Sequence, residues 1–280
     1  MGAAIAWALQ RANFHLNGLV VRNPQRRQYL QTVLPAHWLQ EAVTLPSLEI
    51  ADCVILAVAD EAIAPLADEL GKMALSWQNK MVCHLSGVHS TSVLAPLTQQ
   101  GAVPFSFHPI LAVGFDPRQV TFSGGYVDVE GPPTGVQQGR FLAEQLHMIP
   151  IEVTPQQKIA IHLAAVVYSN FLVGIAEKIH QLFTAMDIPQ ELFIKPFVPL
   201  IHSTLLNLQQ TSPTQALTGP ITRGDVDTIA HHLQLLRQEN QSDLEEVYRL
   251  ISRWLVNVVA GTSLPSATTQ TLRSLLDNKA

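Results

Sequence analysis

Residues 52–87 read DCVILAVADEAIAPLADELGKMALSWQNKMVCHLSG, and this stretch decides the fold. Residues 52–58 form a near-continuous apolar run, the pattern of a strand covered on both faces. Helical spacing follows, and residues 80–87 are a second apolar run. Strand, helix, strand implies a right-handed crossover and two parallel strands of one sheet. The alternation extends both ways. Upstream, residues 16–23 read as a strand and 24–31 as a helix. Downstream come a helix over residues 92–100, strands at 102–109 and at GGYVDVEG, a helix near 135–147 and a strand at MIPIEVT. From Thr154 onward only helical periodicity remains. Thr154-Pro155-Gln156-Gln157 is a helix start, expected to run to Met186. Ser242-Asp243-Leu244-Glu245 reads as a second capping box, and Gly261 can end the helix it opens. Pro196 and Pro199 bend or split the helix between them. The expectation is an α/β protein, with a parallel sheet in residues 1–153 and an all-helical domain in residues 154–280.

Composition narrows the function. Of 280 residues, 47% are hydrophobic, which excludes general disorder, and only 14% are charged. So little charge leaves apolar surface to cover, which points to a homodimer. A net charge of -5 gives no basic excess for nucleic acid or an anionic membrane. Two cysteines, Cys53 and Cys83, make neither a disulfide framework nor a zinc site, and they fit free thiols in a reducing cytoplasm. The opening residues lack a basic leader, so no signal peptide is expected. Residues 159–176, IAIHLAAVVYSNFLVGIA, are long and apolar enough to suggest a membrane span. They also hold His162, Tyr168, Ser169 and Asn170, and a buried helix of a soluble protein is the expectation.

A dinucleotide-binding fold opens with a strand, G-x-G-x-x-G and a helix. MGAAIAWALQ reads as the end of that motif, with Gly2 as its third glycine and the following residues as the helix. The first strand and first two glycines are missing, so the expectation is that the protein begins upstream of Met1; the alternative is a degraded relative that grips pyrophosphate weakly. After the next strand come Val21-Arg22-Asn23-Pro24-Gln25-Arg26-Arg27, where NAD-binding folds usually place an acid for the ribose 2′-OH. Arginines suit a 2′-phosphate instead. Arg22, Asn23 and Arg26 are therefore candidates for NADP(H) binding; the alternative is a solvated loop before a helix.

The stretches HLSGVHSTSVLAPLTQQGAVPFSFHP, AIHLAAVVYSNFLVG and ALTGPITRGDVDTIAHHLQLL resemble those of Rossmann-like proteins with a C-terminal domain of unknown function 2520. The resemblance covers nearly the whole chain, and the family is similar in architecture to pyrroline-5-carboxylate reductase and ketopantoate reductase. It implies a nicotinamide cofactor in the first domain and a dimerising helical second domain. It also implies that a polar residue on the first long helix orients a substrate carbonyl.

Ligands of such sheets sit at the carboxyl ends of the strands. Ala57 and Val58 end one strand, Ser86 and Gly87 the next, and these four are candidate cofactor contacts. His108 ends the third and is a candidate for proton transfer or substrate orientation, or a structural histidine beside a proline. On the long helix, about 100° per residue places His162 and Ser169 roughly 20° apart, with Asn170 roughly 80° from His162. This polar stripe faces substrate or forms a buried network. His162 and Asn170 are catalytic candidates and Ser169 a substrate contact. Arg223, between glycines in TGPITRGD, is a candidate anion clamp for a substrate, while Asp225 can cap the helix after it. No histidine spacing indicates a metal. The expected activity is NADP(H)-dependent oxidation or reduction of a small, anionic carbonyl, imine or hydroxy compound. The alternative is a non-catalytic NADP(H) sensor or scaffold.

Overall fold

The computed structural model describes residues 1–278. They divide into two compact units, Met1–Ser169 and Asn170 onward. In the first unit, α1 (Gly2–Arg11), α2 (Pro24–Val33), α3 (Leu45–Glu49), α4 (Asp60–Gly71), α5 (Ala95–Thr98), α6 (Pro133–Gln145) and α7 (Pro155–Ala165) accompany seven strands. Strands β1 (Leu19–Val20) and β2 (Leu39–Gln40) pair only with each other, in parallel. Strands β3 (Cys53–Leu56), β4 (Met81–His84), β5 (Val103–Pro109), β6 (Tyr126–Glu130) and β7 (Ile149–Glu152) form a separate sheet in chain order. Helix α1 packs on both sheets. Ala4, Ile5 and Leu9 join Phe105, Phe107, Val127 and Val129, while Ala3 and Trp7 lie against Leu19, Leu30 and Trp38.

Two strands depart from the expected all-parallel sheet: β6 runs antiparallel to β5, with His108 opposite Asp128, and β7, parallel to β6, shares its reversed direction. A parallel neighbour requires a crossover, usually helical. Residues 110–125 supply only the short turn Pro117–Gln119, so the chain folds straight back. The cysteines lie on neighbouring strands as free thiols, Cys83 buried and Cys53 half-buried. Burial and the adjacent Cys53 push the Cys83 thiol well above its ordinary pKa, so it stays protonated.

Thr154 caps α7 in the expected capping box, accepting from Gln157 N–H while the Gln157 side chain accepts from Thr154 N–H. The helix does not run on unbroken. Residues Val166–Asn170 form a π-helical turn, which is where the two units divide. A π-turn adds a residue per turn. Angles extrapolated from His162 at α-helical spacing therefore do not hold beyond Val166, and the polar stripe expected there is broken.

The second unit contains α8 (Phe171–Ala185), α9 (Val198–Gln210), α10 (Pro213–Ala216), α11 (Pro220–Arg223), α12 (Val226–Gln238), α13 (Ser242–Val259) and α14 (Ser266–Asp277). Ile229, Leu233, Val256, Val259, Leu272 and Leu276 build its core. Pro196 lies in a 3-10 turn that precedes α9, so the prolines do separate helices. The second capping box is not formed: α13 starts at Ser242 after Gln241, with no side-chain cap. Glu245 instead accepts from Arg249 at 2.7 Å and from Arg237 at 3.0 Å. Arg249, 3% exposed, also donates to the carbonyls of Leu275 and Leu276 at the end of α14. That network gives carbonyls in the last turn of α14 a side-chain donor.

Candidate active site

Strands β5 and β6 and helix α7 bring four side chains together, two of them against Gly87 at the end of β4. His108 Nδ1 lies 2.6 Å from Asp128 Oδ2, and Lys158 Nζ lies 2.6 Å from Asp128 Oδ1. Asp128 and Lys158 are fully buried, whereas the His108 side chain is 13% exposed. The Asp128 carboxylate, already accepting from an ammonium, also accepts from His108 Nδ1–H. This leaves His108 Nε2 as the nitrogen able to exchange a proton with a ligand. A buried charge requires a partner, and here each of the two ions is the other's.

His162 stands beside His108, with ring centroids 5.4 Å apart and planes at 67°. Its Nδ1 is buried without a hydrogen-bond partner. Both rings press on Gly87: a Cβ there would collide with His162 Nδ1 and lie 3.0 Å from His108 Cε1. Glycine at this strand end is therefore a requirement of close approach. Lys158 and His162 share a face of α7 because they are four residues apart.

His84, fully buried on β4, faces the same region. Its Nδ1 accepts from Ser86 N–H at 3.3 Å, so Nε2 carries the hydrogen and faces Ser90 O at 3.3 Å. Burial, reinforced by the Lys158 charge, lowers its pKa to about 4. His84 is thus neutral at pH 7 and holds the β4 turn in place. Ser86 is buried within that turn, its hydroxyl oxygen accepting from Val88 N–H and His89 N–H.

At the end of β3, Ala57 and Val58 are exposed. A Cβ on Gly2 would sit 2.5 Å from the Ala57 Cβ, so helix and strand touch where the third glycine of a dinucleotide motif allows contact. Beyond β1, Asn23 caps α2 by accepting from Arg26 N–H at 2.8 Å. Arg22 pairs with Glu69 at 3.0 Å, both well exposed. A pair in that setting contributes little and yields readily to a phosphate. Arg27 is tied to Glu41 and to Val21 O.

The structure thus brings His108, His162 and Gly87 together, and it adds Asp128 and Lys158, which stand in no sequence motif. Ser169 lies in the π-turn that ends the first unit. Asn170 and Arg223 belong to the second unit and are exposed there. Arg223 ends α11, followed by Gly224 at φ 68. Asp225 caps α12 as expected, accepting from Thr228 N–H at 3.1 Å and Thr228 Oγ1 at 2.7 Å, bonds that lower its carboxyl pKa.

Residues 1–109 match the Rossmann-like domain and residues 126–254 match a domain of unknown function, DUF2520. Two domain models thus account for most of the chain and define a two-part Rossmann-like architecture. The protein is a Rossmann-like protein carrying a C-terminal DUF2520 domain. Among solved structures it is similar to a provisionally named NADP oxidoreductase from Bacteroides fragilis, at 21% identity over 90% of this chain and 93% of that one, TM-score 0.72. It is also similar to a protein from Thermotoga maritima (23% identity, 90% and 95% coverage, TM-score 0.61). A third is an imine reductase from Myxococcus stipitatus in complex with NADP+ (16% identity, 97% and 96% coverage, TM-score 0.62). At these identities the likeness is one of fold. The comparison with curated proteins returned no match.

Proposed function

We propose that the protein is an NADP(H)-dependent oxidoreductase acting on a small carbonyl, imine or hydroxy compound. The observation that carries this reading is the Lys158–Asp128–His108 chain, which ends in a partly exposed imidazole at the carboxyl edge of the sheet. The close Gly2–Ala57 contact fits a dinucleotide, and the fold of the neighbours is that of proteins named for NADP. Gly2, Ala57, Val58 and Gly87 would hold the cofactor, with Arg22, Asn23 and Arg26 at its 2′-phosphate end. The cofactor supplies the hydride chemistry. In reduction the imidazolium form of His108 donates its Nε2 proton to the substrate, and in oxidation the neutral ring, protonated on Nδ1, takes one at Nε2. Asp128 fixes the tautomer that makes this possible, and Lys158 balances the carboxylate charge. His162 orients the substrate beside His108.

Titrating NADPH and NADH into the protein tests the cofactor assignment. NADPH should bind about ten-fold or more tightly, a difference of ~1.4 kcal/mol. Equal or tighter NADH binding overturns the assignment to NADP(H). NADPH binding with no turnover of any carbonyl or imine, and no effect of His108→Gln, would favour the sensor reading over the enzyme.

The apolar surface of the helices completes the proposal. Residues 155–185 are long and apolar enough to cross a membrane, yet 0% of their most apolar window is buried. On α8, Phe171 and Val173 are exposed, as are Leu200 and Leu205 on α9. We assign this surface to a second copy of the chain in the cytoplasm, because the helix also carries His162, Ser169 and Asn170 and the chain has little charge to cover so much apolar area. An interface of the obligate class, about 2,000 Å² or more, would be expected. Light scattering in detergent-free buffer at micromolar concentration should give the dimer mass. A monomer, or a protein that stays in solution only with detergent, speaks against it.

A further inference from the structure

The β5–β6 connection carries an exposed aromatic ring. Phe115 is 70% exposed, and its ring centroid lies 4.3 Å from that of Tyr29 on α2. The Arg26 guanidinium sits over both rings, 4.8 Å from Phe115 and 5.1 Å from Tyr29. Its Nη2 donates to Phe115 O at 3.0 Å. The tip is held rigidly from below: Leu111, Val113, Val120 and Phe122 pack into the core that holds α1. Asp116 takes a bidentate grip from Arg118 and accepts from its backbone N–H. That grip also neutralises the acid nearest Arg26.

We propose that Phe115 and Arg26 together form the receptor for a purine nucleoside 2′-phosphate, with the base stacked on the exposed face of Phe115. The inference rests on the NADP(H) reading above and names, for its adenine end, a residue far away in sequence. Arg26 has one edge on a carbonyl and one face on two rings, and its remaining N–H groups stay fixed in direction for phosphate oxygens. A large apolar ring left exposed next to an oriented guanidinium matches a base, which has a π-face, joined to an anion. An aliphatic anion would use the arginine and leave the ring idle.

The test is calorimetric titration of the full chain with adenosine 2′-monophosphate, a probe that needs no pyrophosphate site, and with NADPH. Phe115→Ala should weaken adenosine 2′-monophosphate binding about ten-fold, within the range a lost base–aromatic stack gives. Phe115→Tyr should keep affinity near that of the parent. Inorganic phosphate should bind Phe115→Ala and the parent alike. Phe115 is exposed, so the alanine variant should fold, and its circular dichroism spectrum checks this. If the parent binds both nucleotides and Phe115→Ala binds them equally well, Phe115 is no part of the receptor and only this inference falls. If the parent binds neither nucleotide, the cofactor reading itself falls.

Discussion

Asp128→Ala should lower the unfolding free energy by about 3–5 kcal/mol, the usual result of removing one partner from a buried ion pair. The variant strands the Lys158 ammonium, fully buried, without its counter-charge. It also releases the Nδ1 proton of His108, so turnover should fall by roughly 10²–10⁴ where His108 acts as general acid or base. Adding Lys158→Met should restore much of the stability and none of the turnover, because the orphaned charge is gone while the histidine remains unoriented. Urea unfolding of the parent and of the single and double variants measures the first effect. A double variant no more stable than Asp128→Ala would show that Lys158 is not the charge being balanced.

The second large effect is on acid stability. His84 titrates near 4 in the folded protein and near 6.5 when unfolded. Between those values the unfolded chain binds the proton that the folded chain excludes. His84 therefore contributes no pH dependence above about pH 6.5. Stability falls by about 1.4 kcal/mol per pH unit below it, and the fall from this residue ends near pH 4. The total approaches ~3 kcal/mol. In His84→Leu the unfolding free energy should decline less steeply from pH 7 to pH 4.5 than in the parent. A parallel decline in both proteins would assign the acid sensitivity elsewhere.

The α/β character and the helical second half are legible because buried parallel strands leave apolar runs and the switch to helical spacing at Thr154 is abrupt. Strand direction is less legible. GGYVDVEG announces a strand but not which way it runs, and the one clue is that residues 110–125 carry no helical period. Helix angles fail where a π-turn intervenes, as between His162 and Ser169. His108, His162 and Gly87 were readable as polar or small residues at strand ends and on an apolar helix. Asp128 and Lys158 were not, since each looks ordinary alone and 30 positions separate them. The spacing of Lys158 and His162, one helical turn apart on α7, was the available signal.

The division of the sheet bears on how the nucleotide end is held. Arg22, Arg26 and the cap Asn23 follow β1, which pairs two residues with β2 and nothing with β3. A two-stranded sheet is marginal in isolation, so this corner relies on α1 and the Leu30–Trp38 cluster to stay closed. Opening free energies within one protein span a range, and parts with few ladder bonds lie toward its low end. A receptor mounted on such a part binds with its intrinsic affinity reduced by the fraction of molecules in which the part is open. A nucleotide held there as proposed would shift that population in return, so occupancy and local order at this corner would rise together.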